Sequence, residues 1–449
     1  MPNPDYNNPL ICALDGALLK TDLKSERLLF GAKTSLERLM STEIDLQRLE
    51  LERSDPTVSS FEVPLHQPVY DFLEAEKSRG RRLILDTSES TESAKEILAG
   101  KNPFDEIVDL ENQQSIENYD YIGSTGTAAG TWERANKKYM VGGAATPDGF
   151  ADHFKKPKAG IKTVIKAIRA YQWLKNLLVF VPIITSQQFS NPDALRSSVI
   201  MFICFSAVAS FGYIFNDLLD LQSDRAHRIK RHRPFASGQL SATQGVLIGA
   251  ILLLIAIAGC LFLPAMSSAV LLGYLILTLC YSLYLKTKLM IDVVSLGGLF
   301  TLRVIGGAAA IETELSFYLL SFSIFLFSSL GMVKRFAELH NLQAQNKLSA
   351  RGRGYRVEDM APVRIIGISL GYMSVFIMGL YINSPLITEY YSNPKVIWFL
   401  FPLLTYWLGR LWILANRGEV NEDPLIFAAK DTTSLLVAGL SAVILLLAN

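Results

Sequence analysis

The sequence has few of the residues that build nitrogen and sulfur metal centres or cross-linked folds. Among 449 residues there are four cysteines and five histidines. Cys12, Cys204, Cys260 and Cys280 show no paired zinc-type spacing, and three of them fall inside apolar runs. They read as small buried hydrophobes, which excludes a disulfide framework and a zinc site. An excess of charge of one sign is also missing, since 43 Lys and Arg against 42 Asp and Glu leave a net +1. No global field then draws the chain to nucleic acid or to an acidic polymer. The first residues, MPNPDYNNPL, have neither a basic region nor an apolar core, so no signal peptide is expected.

What the chain does have is long apolar runs, unevenly spread. Residues 1–160 are an ordinary soluble mixture, and from about Lys166 apolar runs alternate with short charged loops. A soluble domain followed by a membrane domain is implied. A bilayer-crossing helix needs ~20 mostly apolar residues. Nine segments meet this demand, near 168–185, 195–215, 243–263, 266–285, 292–311, 316–334, 364–382, 395–414 and 431–448. The first is the weakest, because Trp173, Lys175 and Asn176 sit at its start. Cations crowd alternate connections: seven lie in 155–175, five between Asp217 and Ala242, then Lys286 and Lys288, seven more from Lys334 to Arg364, and finally Arg417 and Lys430. The positive-inside bias then predicts a multi-pass protein of the inner (plasma) membrane, with its N-terminal domain and every charged loop cytoplasmic. Small residues such as Gly297, Gly298, Gly306 and Gly307 suit close helix packing.

The stretch FNDLLDLQSDRAHRIKRHRPFASG, Phe215–Gly238, concentrates charge between two apolar segments. Asn216, Asp217, Asp220 and Asp224 recur at helical spacing, so a helix continuing past Phe215 places them on roughly one face. Carboxylates gathered at the end of a membrane span persist only with a counter-charge, and a divalent cation is the obvious one. An oxygen-only ligand set favours Mg²⁺, which keeps waters and bridges to phosphate. Arg225, Arg228, Lys230, Arg231 and Arg233 follow, donors of the kind that phosphate oxygens take. A Mg²⁺–diphosphate site at the cytoplasmic face is inferred, against the plainer reading of a solvated loop with scattered ion pairs.

NDLLDLQSD also fits NDxxDxxxD, and here the chain resembles the UbiA superfamily of intramembrane prenyltransferases. The resemblance covers about residues 160–449 and implies an α-helical bundle of nine transmembrane helices. Family members carry a second aspartate-rich motif after the sixth span. This chain has GMVKRFAELHN there, with Lys334 and Arg335 and one acid, Glu338. Cations cannot replace metal ligands, but they bind phosphate directly. AYQWLKNLLVFVP, which contains Lys175, DVVSLGGLFTLRVIGGAAA and VKRFAEL resemble the decaprenyl-phosphate phosphoribosyltransferase branch. That resemblance implies transfer of phosphoribose from phosphoribosyl pyrophosphate (PRPP) to a polyprenyl phosphate, with Mg²⁺. In it Asn216, Asp217, Asp220 and Asp224 hold the metal and Lys230 and Arg233 grip the diphosphate. Lys334 and Arg335 are suited to either the acceptor phosphate or the 5-phosphate of PRPP. Lys175, Tyr281, Lys286, Arg303 and Glu338 are assigned to the substrate. For Arg303, set mid-span, an interhelix structural role is an even alternative. Asp292 borders the same loop as Tyr281, and Asp423 and Asp431 share the last charged loop. The competing readings are a prenyltransferase acting on an aromatic or quinone-precursor ring and a non-catalytic lipid-binding scaffold.

The soluble part alternates short buried strands with turns and helical patterns: PLICALDGALLKTDL, RRLILDTSES and ENYDYIGSTGTAAG. That alternation predicts an α/β domain with a parallel sheet over residues 1–141. It resembles the haloacid dehalogenase-like phosphatases, whose first motif is DxDG. Here the stretch is ALDG, so Ala13 stands at the nucleophile position and only Asp15 matches. Without a nucleophile, covalent phosphoryl transfer has no mechanism, and a degenerate domain is expected. Residues 142–160, rich in Gly, Ala, Pro and Lys, read as a linker to the membrane domain at 161–449.

Overall fold

The computed structural model describes residues 8–40, 63–98, 101–110, 112, 116–143, 148–156, 159–347, 354–385, 387, 391–420 and 423–448. The chain divides into two compact units, residues 1–168 with 213–249, and residues 169–212 with 250–449.

The first unit is built on a six-stranded sheet in the order β3-β2-β1-β4-β5-β6, with every pairing parallel. Its strands are β1 (Leu10–Ala13), β2 (Leu83–Asp86), β3 (Glu106–Val108), β4 (Tyr119–Ser124), β5 (Ala135–Val141) and β6 (Asp152–Phe154). The central strands are apolar on both faces, as a sheet covered on both sides requires. Leu10, Ile11, Cys12, Leu83, Ile84, Leu85 and Ile122 are all buried. Helices α1 (Leu23–Met40), α2 (Gln67–Ser78), α3 (Thr91–Ile97) and α4 (Ala129–Arg134) connect the strands. After β1 the chain turns at Gly16, whose φ of +78° a side-chain-bearing residue rarely adopts. The Asp15 carboxylate then accepts the Leu23 backbone N–H at 3.3 Å, which fixes the start of α1. β6 falls inside the stretch expected as a linker and pairs with β5. Residues 144–147 and 157–158 of that stretch lie outside the described residues.

The membrane helices differ in number from the nine expected. Among the described residues seven helices are long and apolar enough to cross a bilayer: Pro192–Leu219, Ala242–Cys260, Ala265–Leu283, Ile291–Ala310, Phe317–Ala344, Val357–Ile382 and Pro394–Asn416. Pro424–Lys430 and Thr432–Ala448, bent by 83°, make an eighth if taken as one broken span. The segment expected at 168–185 is instead a 3-10 stretch, Ala170–Phe180, followed by the short helix α6 (Val181–Thr185). Its polar groups hold it to other elements: Trp173 Nε1 donates to Ser210 Oγ at 2.9 Å, and Asn176 Nδ2 to Ser206 Oγ at 3.0 Å. Pro182 lacks the N–H that a continuous helix would need there.

Named in chain order, α5 (Ile161–Ala167) precedes α6. Then come α7 (Pro192–Leu219), α8 (Leu221–Ala226), α9 (Ala242–Cys260), α10 (Ala265–Leu283), α11 (Ile291–Ala310), α12 (Phe317–Ala344), α13 (Met360–Ile382), α14 (Leu400–Asn416), α15 (Pro424–Lys430) and α16 (Thr432–Ala448). In the second unit α12 packs beside α13 and α14, with Leu330, Val333, Phe336, Val363, Leu411 and Trp412 buried together. On α11, a Cβ placed at Gly307 would lie 2.8 Å from the Val179 carbonyl carbon, so the 3-10 stretch approaches this helix only because the residue is glycine. Gly307→Ala should therefore destabilise by about 1–3 kcal/mol, the usual cost of overpacking. Gly273→Ala on α10, with nothing within 4 Å of its added Cβ, should be neutral or stabilising. Thermal unfolding in detergent checks both, and equal melting temperatures for the two variants would contradict the packing account.

Candidate functional site

Helix α7 runs past the end of its apolar sequence and carries Asn216 and Asp217 in its last turn. Asp220 marks the junction with α8, yet the i to i−4 pattern continues: the Asp220 N–H donates to the Asn216 carbonyl at 2.9 Å and that of Asp224 to the Asp220 carbonyl at 2.8 Å. Asp217 and Asp224 are buried, at 3 % exposure each, while Asn216 and Asp220 are half-buried. The chain then folds back through a 3-10 turn, Lys230–His232. This return places the Arg233 guanidinium between the two buried acids. Its Nη1 donates to Asp217 Oδ1 at 3.1 Å and to Asp224 Oδ2 at 2.6 Å. Burial lifts the Asp224 carboxyl above the usual carboxylate range, and Arg233 offsets part of that rise. Burial alone would lower Arg233, but the two aspartates outweigh it and hold its guanidinium above its ordinary value. Lys230 is exposed, and its charge acts on Asp224. Arg225, next to Asp224, is buried and points away from this group, to Glu26 and the Ala236 carbonyl.

Among the described residues no group of three or more His, Cys, Asp or Glu side chains is arranged to hold a metal ion. The donors are nonetheless of the right kind for a hard cation. They are all oxygens, and one positive group is already seated where two carboxylates converge.

The second unit sorts its cations. Arg335 on α12 is 1 % exposed, with Nε 3.2 Å from Asp292 Oδ2 and Nη1 donating to Glu338. Asp292, fully buried at the start of α11, also accepts from the Tyr355 hydroxyl at 2.9 Å and the Val293 N–H at 2.7 Å. Arg335 is thereby matched by two acids in an interhelix network. Arg303 donates to three neutral oxygens: Asn176 Oδ1 at 2.7 Å, the Leu299 carbonyl at 2.6 Å and the Tyr274 hydroxyl at 2.7 Å. Those partners join α11 to α10 and to the 3-10 stretch, the structural side of the even alternative. Lys175 pairs with Asp423, which also caps α15 through the Leu425 N–H at 3.2 Å. Lys334, half-buried, adds its charge to the same Asp423. Burial would raise the Asp423 carboxyl, yet Lys175 and Lys334 outweigh it and hold it below its ordinary range. Tyr281, in the last turn of α10, lies within electrostatic reach of Lys334, while Lys286 sits in the 3-10 turn Leu285–Thr287. Lys175 is thus ion-paired with Asp423, while Lys334 acts on that carboxylate through space and has Glu338 as a second acid within electrostatic reach.

The acidic motif and Arg233 were legible as one short segment. Asp423 and Asp292 carried only the weak signal of an acid near a span end. Glu26 carried none, because its partner is 199 residues away.

Clustered acids at the end of one apolar helix and cations on others are groups suited to phosphorylated substrates in a multi-helix membrane protein. The profile of the UbiA prenyltransferase family matches residues 177–430, and the chain belongs to that family. It is similar to the protein y4nM of Sinorhizobium fredii, 31% identical over 98% of this chain and 90% of that protein. The nodulation protein NoeC of Azorhizobium caulinodans is 32% identical over 63% of this chain and 92% of its own. The decaprenyl-phosphate phosphoribosyltransferase of Mycobacterium tuberculosis is 33% identical over 39% of this chain and 60% of its own. Among solved structures, a UbiA homolog from Archaeoglobus fulgidus bound to GPP and Mg²⁺ has the same fold, with a TM-score of 0.50, 15% identity and coverage of 64% of this chain and 99% of that one.

Removing Arg233 leaves Asp217 and Asp224 buried without their shared cation. Arg233→Ala should lose about 3–5 kcal/mol in metal-free buffer, the cost of breaking a buried pair. Added Mg²⁺ should restore more stability to this variant than to the wild type. Thermal unfolding with and without Mg²⁺ checks this, and a deficit that Mg²⁺ leaves untouched would contradict a cation seat at these carboxylates.

Proposed function

We propose that this UbiA-family transferase moves 5-phosphoribose from PRPP onto a polyprenyl phosphate, releasing diphosphate. The observation that carries the reading is the charge at the second locus. Where the family places a second set of acids, α12 presents Lys334, whose charge joins that of Lys175 on Asp423. Such a locus suits a phosphate monoester bound directly. The decaprenyl-phosphate phosphoribosyltransferases, whose similarity is reported above, support the same assignment of donor and acceptor.

The chemistry follows from the residue types. Asn216, Asp217, Asp220 and Asp224 would hold Mg²⁺, which when bound neutralises the diphosphate of PRPP as it departs. Arg233, already directed at this locus, and Lys230 donate charge-assisted hydrogen bonds to diphosphate oxygens. The C1–O bond of the ribose breaks, its electron pair leaves with diphosphate, and C1 gains oxocarbenium character. An oxygen of the acceptor phosphate forms the new bond to C1. That phosphate is already anionic at neutral pH, so no strong general base is needed and none is assigned. Lys175 and Lys334 hold a phosphate group of one substrate in position, and catalysis is positioning plus electrostatics. Tyr281 and Lys286 border the same substrate region, and Arg335 with Glu338 keeps α12 in register behind it. The N-terminal domain and the site face the cytoplasm in this reading. The N-terminal domain itself has no phosphatase activity, since Ala13 ends β1 where a nucleophile would stand.

Membranes containing the protein should convert labelled PRPP and polyprenyl phosphate to a labelled lipid. Product formed only from labelled prenyl diphosphate and an aromatic acceptor would assign the chain to the prenyl-transfer branch instead. Asp220→Ala should abolish turnover while the protein still inserts in the membrane, and retained turnover would remove the metal assignment. Lys334→Ala should chiefly raise the KM of a phosphorylated substrate, by about tenfold or more if it meets a phosphate directly, since a hydrogen bond to a charged group contributes ~1.5–3 kcal/mol. An unchanged KM would take Lys334 out of the site.

A further inference from the structure

Glu26 lies in the first turn of α1, in the α/β domain, and is 3 % exposed. Both its carboxylate oxygens accept from Arg225: Nη1 donates to Oε2 at 2.8 Å and Nη2 to Oε1 at 2.7 Å. The third nitrogen, Nε, donates to the Ala236 carbonyl at 3.2 Å. One buried guanidinium therefore ties α1, α8 and the returning loop together. Neighbouring packing belongs to the same junction. A Cβ built on Gly238 would stand 2.9 Å from side-chain atoms of Lys20 and of Pro64, and Ser25 Oγ is 3.4 Å from Thr243 Oγ1.

An exposed ion pair between two domains would be a loose tether of little energetic consequence. A buried two-pronged pair is different. Both charges lose their water, so the arrangement persists only at a defined geometry, and the planar guanidinium transmits that geometry to its own backbone. Arg225 is the residue after Asp224, whose Oδ2 accepts from Arg233 at 2.6 Å. Asp15, the one matching residue of the phosphatase-like motif, is used on the same chain of support, because it accepts the N–H of Leu23 at the start of α1.

We propose that Glu26 is a positioning residue of the transferase site: acting through Arg225, it holds α8 and therefore Asp224 where the acidic motif requires it. The α/β domain is then a structural component of the site rather than an appended phosphatase. This rests on the reading of Asn216, Asp217, Asp220 and Asp224 as the metal-binding face.

The test uses the full chain in lipid nanodiscs, with hydrogen exchange followed at residues 220–238 and the Mg²⁺ concentration for half-maximal turnover measured alongside. Glu26→Gln should speed exchange at 220–238 by about tenfold or more, leave β1 protected, and raise the half-maximal Mg²⁺ concentration about tenfold, the usual loss when a supporting partner of a metal ligand is removed. Its kcat at saturating Mg²⁺ should stay within about threefold of wild type, since the ligands themselves remain. Glu26→Asp, which keeps the charge, should recover most of both effects. Arg27→Gln, which removes an ion pair to Glu89 from the adjacent position of α1, should change neither. Unaltered exchange at 220–238 in Glu26→Gln overturns the proposal, and so does an equal rise in β1, which would mean general loosening of the domain. Should the wild type transfer no phosphoribose, the functional reading falls by itself, and the exchange result alone decides whether Glu26 positions α8.

Discussion

A carboxylate without water needs a cation, and Asp217 and Asp224 are two of them side by side. The fold answers with Arg233, brought back by the turn after α8 so that a single Nη1 reaches both. Much of the local architecture follows from that demand. The basic run has to come soon after the acidic run in sequence. The loop has to double back rather than extend into solvent. Arg225, on α8, is paired with Glu26. Acids and bases that alternate in one short segment are thus divided between a seat for a cation and a brace behind it.

The second unit applies the same rule with a different outcome. Arg335 has two acids and Arg303 has neutral oxygens on three sides, so both arginines are consumed in holding helices together. Planar guanidinium groups suit such multi-partner junctions. The lysines are left with less. Lys175 is paired with Asp423, on which Lys334 acts through space, and both carry compact ammonium groups on flexible stems. In the proposed reading, this contrast separates the lysines assigned to a substrate phosphate from Arg303 and Arg335, which brace the helices of the second unit.

Relatives extend the picture to the whole chain. Similarity to y4nM runs over 98% of this sequence, so the α/β part and the membrane helices are shared together. In the α/β part strands β1, β2 and β4 end on Ala13, Asp86 and Ser124. Asp86 accepts from the Tyr121 hydroxyl at 2.6 Å and from the Leu110 N–H at 3.1 Å. Together with the Asp15 bond to α1, these contacts show the carboxylates at the strand ends engaged in holding the domain's own loops.

The sequence alone determined the membrane class, most of the spans and the acidic motif, because hydropathy and helical spacing are local properties that each residue carries with it. It also determined the parallel α/β class of the first domain, through the alternation of buried strands and helices. At 168–185, where apolar content suggested a span, the chain forms a 3-10 stretch with Pro182 after it and Trp173 and Asn176 hydrogen-bonded to α7, and among the described residues seven or eight helices rather than nine are long and apolar enough to span. Only the tertiary structure decided which partners each of these cations takes. Arg225, Arg303 and Arg335 look alike in sequence to Arg233 and Lys334, and their partners Glu26, Asn176 and Asp292 are remote along the chain. Pairing of buried charges depends on distance in space, and distance in space is what a linear order of residues does not contain.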